Sequence, residues 1–170
     1  MARSKNTADS QTRSVGASRL PAGLNPEDLL EMYSTMVLVR TLDERIWLMN
    51  RQGKAAIVAS SQGHEAAQLG AVWAMRTAPG AAYFPYYRDL GMMIALGVSP
   101  LETMLGFMAK KGETFSGARQ FPLHGARPDL KLFNLSNVVS TQIPHAVGYA
   151  LGCKRSGDTT ITMTTFGDGG

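Results

Sequence analysis

Three clusters of residues in this 170-residue chain have side chains and spacing suited to holding a phosphate or a metal ion. One, Gly167-Asp168-Gly169-Gly170, places a lone carboxylate among glycines. Glycine lets backbone N–H groups come close to a phosphate, and one carboxylate suits Mg²⁺, which completes its shell with phosphate oxygens and water. The same four residues also suit a tight turn with aspartate as the turn former. A second cluster is Tyr86-Tyr87-Arg88, a guanidinium and two phenols that can donate to phosphate oxygens. Its alternative is an Arg88–Asp89 surface ion pair with the rings in the core. The third runs from Ser136 through Asn137, Val138, Val139, Ser140, Thr141 and Gln142 to Ile143-Pro144. Its hydroxyls, amides and carbonyls can ligate a monovalent cation, and helix N-terminal N–H groups favour anions. A plain Ser/Thr cap is the other reading. His64 and Glu65 also combine chemistry-bearing groups, but neighbours on a helix point apart. His64 then either satisfies backbone at a helix end or approaches a ligand.

These clusters need elements to carry them. Asn25-Pro26-Glu27-Asp28 gives an N-cap, a proline at the first helical position and acids in the first turn. Leu29, Leu30, Tyr33, Met36, Val37, Leu42, Ile46 and Trp47 continue at helical spacing to Gly53, a helix of about 25 residues. Its apolar face is wide enough to meet a partner chain in part. Residues 55–59 suit a short extended piece, and residues 60–65 open a second helix that runs to about Arg76. Residues 81–87 read as a strand with Pro85 near an irregular end. A third helix starts at Arg88–Gly91, and a fourth is capped by Ser99 with Pro100 following and runs to Lys110 or Lys111. Residues 112–137 lack periodicity, and a loop of that length is functional or disordered. Ser140 or Thr141 opens another helix, and residues 158–163 read as a buried strand because they are rich in β-branched residues. The helix-then-strand ending resembles half of a βαβ crossover, so the expected fold class is α/β with a parallel sheet flanked by helices.

The chain's hydrophobic content of 44% fits a globular domain, and its net charge of +4 is concentrated at the start. Arg3, Lys5, Arg13 and Arg19 face only Asp9 in residues 1–20, so three of the four net charges lie there. The rest is near neutral, with no basic stripe for nucleic acid and no apolar run long enough for a bilayer. A single cysteine, Cys153, excludes an internal disulfide and reads as a small core residue. Residues 1–24 are polar and aperiodic and are expected to be a disordered tail ahead of a domain at 25–170. Their start suits either a plain bacterial tail, with the protein in the cytoplasm, or a transit peptide, with the protein in the mitochondrial matrix.

Several separate stretches together carry a family likeness. They are residues 36–51 (MVLVRTLDERIWLMNR), 61–70 (SQGHEAAQLG), 85–91 (PYYRDLG), 117–124 (GARQFPLH), 140–148 (STQIPHAVG) and 166–169 (FGDG). In this order they resemble the α subunit of the E1 component of thiamine-diphosphate-dependent 2-oxo acid dehydrogenases, the branched-chain type more than the pyruvate type. The resemblance implies the N-terminal part of a thiamine-diphosphate-binding fold. By it, Tyr87 and Arg88 hold the cofactor diphosphate and Tyr86 lines the pocket near the reactive ring. Asn137 stands beside the cofactor, and Val139 is the wedge under its bent form. Asp168 ligates Mg²⁺ beside Gly169 and Gly170. Ser136, Val138 through its carbonyl, Thr141 and Gln142 match a K⁺ site. No catalytic acid or base is assigned, because the family takes it from the β subunit; His124 is a candidate for the substrate loop.

The implied reaction is oxidative decarboxylation of a 2-oxo acid, with acyl transfer to lipoyl-lysine of an E2 protein. The implied partners are an E1 β subunit in an α₂β₂ heterotetramer and the E2 lipoyl domain. The family motif continues past Gly-Asp-Gly to two asparagines that complete the Mg²⁺ site. The expectation is therefore an N-terminal fragment of a longer subunit that binds cofactor poorly alone. A pyruvate or acetoin dehydrogenase α subunit, or a non-catalytic piece that only pairs with a β subunit, are the alternatives. A generic nucleotide-binding domain is not favoured, since neither G-x-G-x-x-G nor a Walker sequence occurs.

Overall fold

Asn25 begins the first helix through a reciprocal capping box. Its side-chain oxygen accepts from the Asp28 N–H at 2.8 Å, and the Asp28 carboxylate accepts from the Asn25 N–H at 2.9 Å. A computed structural model describes Leu20 and residues 23–170; all but the end of the expected tail over residues 1–24 therefore lies outside the described residues. Helix α1 spans Pro26–Arg51 and buries Val39, Leu42 and Ile46 while Leu30, Tyr33 and Val37 face outward. The wide apolar face expected of this helix is thus only partly covered by the described residues.

Helix α2, Glu65–Met75, starts later than its sequence suggests. Ser60, Ser61 and Gln62 are tied to the Asp43 carboxylate of α1, and this holds residues 60–64 in a turn. Residues 55–59 are irregular rather than a strand. Strand β1, Ala81–Phe84, stops at Pro85, which has no N–H to extend the ladder. The third helix starts at Leu90, after a Tyr86–Asp89 turn: α3 is Leu90–Ala95. Helix α4, Pro100–Phe107, has the Ser99–Glu102 capping box foreseen for it but ends short of Lys110. There Ala109 takes a positive φ of 48°, and the N–H of Lys110 bonds back to the Leu105 carbonyl.

The long segment after α4 contains a single 3₁₀ turn, Pro128–Leu130, and then runs beside β1. Tyr83 N–H donates to the Lys131 carbonyl and Phe133 N–H to the Tyr83 carbonyl, both at 2.9 Å. Helix α5, Gln142–Ser156, ends at Gly157 with φ +75° and leads to strand β2, Ile161–Thr164. β2 pairs in parallel with β1 in the register Ala81↔Ile161 to Phe84↔Thr164. This strand is half-exposed, not buried, and it is shorter at its start than its sequence suggests. The Asp158 side chain takes the Thr160 N–H, which draws residues 158–160 into a turn, and β2 has a partner on one edge among the described residues.

β1 sorts its side chains between two cores. Tyr83 joins the large cluster formed with Val39, Ile46, Leu69, Met92 and Leu132, while Ala82 and Phe84 meet Ala146 of α5 on the other face. Phe84 stacks on Phe133 with ring centres 4.8 Å apart. Cys153 is buried, as expected of a small core residue. No helix among the described residues is long and apolar enough to cross a membrane.

Candidate functional site

Parallel pairing aligns the carboxyl ends of β1 and β2, and ligands in open α/β sheets collect at such edges. The residues just past β1, the turn before α5 and the glycine loop past β2 meet there around one cavity of about 520 Å³. Tyr86, Tyr87 and Arg88 line it from β1, and Asp168, Gly169 and Gly170 line it from β2. Ser136, Val139, Ser140 and Gln142 line it from the turn. Residues from all three sequence clusters thus meet at one cavity.

Arg88 is not the partner of Asp89. Its Nη1 donates to the Ser60 carbonyl at 3.0 Å, and its guanidinium lies 5.2 Å from the centre of the Tyr87 ring. No carboxylate pairs with it among the described residues. His64 stands at the N-cap of α2 but its side chain makes no capping bond; its Nδ1 lies 3.2 Å from the Tyr86 hydroxyl, at the cavity wall. The Ser140 hydroxyl is buried without a partner, and its backbone sits at φ +68°, a conformation that costs a non-glycine residue energy. A Cβ on Gly170 would stand 2.6 Å from that hydroxyl, so glycine is what lets this loop close on the turn. One guanidinium, phenols, an orphaned hydroxyl and a solvent-facing carboxylate form a set that fits a polyanion bridged by a divalent cation.

The remaining predicted residues divide. Ser136 Oγ accepts from Val138 N–H at 3.1 Å and the Val138 carbonyl accepts from Thr141 N–H at 3.2 Å, so both serve the turn itself. Gln142 is buried and donates its amide to the Thr165 carbonyl at 2.8 Å, which ties α5 to the end of β2. Asn137 lies apart from the first cavity. With His124 it lines a second one of about 250 Å³, walled by Ile57, Phe107, Phe121 and Pro122. Tyr87 borders both cavities. His124 is buried, and its Nδ1 lies 2.9 Å from the Pro122 carbonyl. A carbonyl only accepts, so Nδ1 carries the proton and Nε2 is left as an acceptor.

Three buried carboxylates that support this site were not foreseen from sequence. Asp43 holds the Ser60–Gln62 turn. Glu113 gathers the N–H groups of Phe115, Ser116 and Ala118 and folds the loop that carries Phe121 and His124. Burial pushes its carboxyl up, but those N–H groups prevail and hold it below its ordinary value. Asp89 accepts from Tyr86 N–H at 2.9 Å, from Gln68 Nε2 at 3.2 Å and from the Thr165 hydroxyl, and so joins the ends of both strands. The available signal was a charged residue set on an apolar helix stripe, as Asp43 is between Leu42 and Ile46.

Burial, partly countered by Thr165 and the Tyr86 N–H, raises the Asp89 pKa from 3.8 to about 6. The fold therefore prefers this carboxyl neutral. Its contribution is fully present below the unfolded value and is lost as pH rises through about 6. The stability of wild type relative to Asp89→Asn should rise by about 2 kcal/mol from pH 7 to pH 4 in urea unfolding. A difference that does not change with pH would show that folding leaves the Asp89 pKa where it is in the unfolded chain.

The family model described as dehydrogenase E1 component matches residues 33–170. The 2-oxoisovalerate dehydrogenase subunit alpha of Bacillus subtilis (strain 168) is 41% identical over 147 residues, which cover 86% of this chain and 44% of that protein. The 3-methyl-2-oxobutanoate dehydrogenase subunit alpha of Mycobacterium tuberculosis (strain ATCC 25618 / H37Rv) is 32% identical over 85% of this chain and 36% of its own length. The mitochondrial 2-oxoisovalerate dehydrogenase subunit alpha of Homo sapiens is 27% identical over 95% of this chain and 35% of its own length. The chain spans less than half the length of these relatives.

Proposed function

The chain belongs to the dehydrogenase E1 component family, and from that premise we propose that it serves as the α-type part of a thiamine-diphosphate-dependent dehydrogenase of branched-chain 2-oxo acids. The observation that carries this reading is the convergence of Tyr86–Arg88, Ser136–Gln142 and Asp168–Gly170 on one cavity at the carboxyl ends of two parallel strands. Arg88 and Tyr87 bind the diphosphate, and Tyr86 and Val139 border the organic part of the cofactor. Asp168 ligates Mg²⁺, while Gly169 and Gly170 let backbone approach. When bound, thiamine diphosphate supplies the nucleophilic carbon and the electron sink that decarboxylation needs. Ser136, Val138, Thr141 and Gln142 are proposed for K⁺. Gln142 spends its amide nitrogen on Thr165, which leaves the amide oxygen as its ligand atom.

The second cavity is the proposed seat of the substrate side chain. Its wall is mostly apolar, and Tyr87 joins it to the first cavity. His124 offers Nε2 as an acceptor there, and Asn137 adds a polar edge. A branched aliphatic group fills such a space better than a methyl group does, and each added methylene gives about 1–3 kcal/mol of discrimination. A β subunit supplies the acid–base group that this chain is not assigned, in an α₂β₂ assembly, and the acyl product passes to lipoyl-lysine of E2. The assembled α–β enzyme should then favour 2-oxoisovalerate over pyruvate in kcat/KM by about 30-fold or more, measured as CO₂ release. Equal turnover of the two acids would overturn the branched-chain reading.

A further inference from the structure

Arg88 is the permanent cation of the first cavity, yet no acidic side chain holds it. What holds it is a backbone carbonyl, that of Ser60, and this carbonyl belongs to a turn without regular structure. Such a turn fixes an arginine only if something fixes the turn. Asp43 does so from α1. Its side chain is 2% exposed. Its carboxylate accepts the Ser60 hydroxyl at 2.8 Å, the Ser61 N–H at 2.9 Å and the Gln62 amide at 2.9 Å. All of these donors lie in three consecutive residues, and no cation pairs with Asp43 among the described residues.

One helical turn earlier, Arg40 reaches the other end of the same segment. It pairs with Glu65 at 2.7 Å, and the second Glu65 oxygen accepts from the Gly63 N–H at 2.8 Å. Residues i and i+3 share a helix face. α1 therefore grips both ends of the Ser60–Glu65 segment from one face, and that segment presents the Ser60 carbonyl to Arg88 and His64 to Tyr86.

We infer that Asp43 is a positioning residue for Arg88, acting through the Ser60–Gln62 turn, so that the first helix sets where the anion-binding guanidinium stands. Asp43 itself touches no ligand. Its carboxylate orients the Ser60 turn, and the carbonyl of that turn fixes one nitrogen of the guanidinium that lines the cavity. The inference rests on reading the first cavity as a diphosphate site for its purpose, though not for its geometry.

The test reads Arg88 directly. Phenylglyoxal modification of the whole chain, resolved by peptide mass spectrometry, gives a rate at Arg88 and an internal control at the exposed Arg119. Loss of the hold should raise the Arg88 rate about fivefold in Asp43→Ala, the factor of one lost hydrogen bond, with Arg119 unchanged. Asp43→Asn keeps an oxygen for the Ser61 N–H and should restore most of the protection. If Asp43→Ala does not fold, the double variant Ser60→Ala/Gln62→Ala removes two donors without touching the buried stripe of α1. It should raise the Arg88 rate about twofold. Arg88 rates equal to wild type in the folded variants would overturn the inference, because a carboxylate that only stabilises the fold would lower the melting temperature and leave Arg88 as it was. Inorganic pyrophosphate added to the wild type separates the other question. Protection of Arg88 supports the diphosphate site. No protection, together with faster labelling in the variants, would overturn that site and leave Asp43 as the residue that positions Arg88.

Discussion

Arg88→Ala should weaken binding of inorganic pyrophosphate about 30-fold, measured by calorimetry, with a melting temperature close to that of wild type. The size follows from chemistry. A hydrogen bond to a charged group contributes about 1.5–3 kcal/mol, and the loss of one such bond at about 2 kcal/mol is roughly 30-fold. The cavity has little to compensate. Its other polar lining groups are phenols, hydroxyls, the Gln142 amide, the Asp168 carboxyl group and backbone, and His64 is held toward Tyr86. The small effect on stability follows from structure. Arg88 is half-buried, and among the described residues its side chain makes one hydrogen bond, to the Ser60 carbonyl, and has no carboxylate partner to strand. Arg88→Lys keeps the charge but lacks the planar fork, so it should recover only part of the affinity. Unchanged pyrophosphate affinity in Arg88→Ala would remove Arg88 from the anion site and with it the strongest chemical reason for the cofactor assignment.

What could be read from sequence about this site was what short-range chemistry writes. Asn25 and Ser99 announce their helices because a cap and its partner lie three residues apart. The turn at Asp168 and its glycines was legible for the same reason, and Gly170 N–H closes it on the Gly167 carbonyl. Asp43 and Asp89 were not legible as supports because partners of theirs are distant along the chain. Asp43 meets residues 17–19 positions on, and Thr165 reaches Asp89 across 76 positions. The same distance explains the misplaced boundaries. Ser60 resembles a helix opening in isolation, and only a buried carboxylate from another helix makes it a turn. Asn137 and Val139 look equivalent in a run of polar and branched residues, yet they line different cavities, since the turn reverses direction between them.

The residue whose replacement should cost the fold most is one that a sequence reading passes over. Gly125 follows His124 in the loop that walls the second cavity, and its φ is +134°. A Cβ placed there would stand 2.4 Å from the Phe115 carbonyl oxygen and 2.6 Å from its carbon. Those are backbone atoms, and they cannot swing aside. Phe115 is buried, and its N–H is held by the Glu113 carboxylate together with those of Ser116 and Ala118. Gly125→Ala combines backbone strain of about 1–3 kcal/mol with a steric clash of similar size, and should lower stability by about 4 kcal/mol. For a domain of this length that corresponds to a fall of about 10 °C in melting temperature. Gly148 is the control. It lies in α5 with nothing near its would-be Cβ, so Gly148→Ala should leave stability unchanged or raise it by up to about 1 kcal/mol. The functional consequence is selective. Phe121, Pro122 and His124 lie on the strained loop, whereas Arg88 and Asp168 do not. Below its lowered melting temperature, Gly125→Ala should therefore keep its pyrophosphate affinity. In the assembled enzyme it should lose preference for the branched acid. A Gly125→Ala protein that melts with the wild type would mean that the Phe115–Gly125 contact yields, and that the second cavity is not held by this loop.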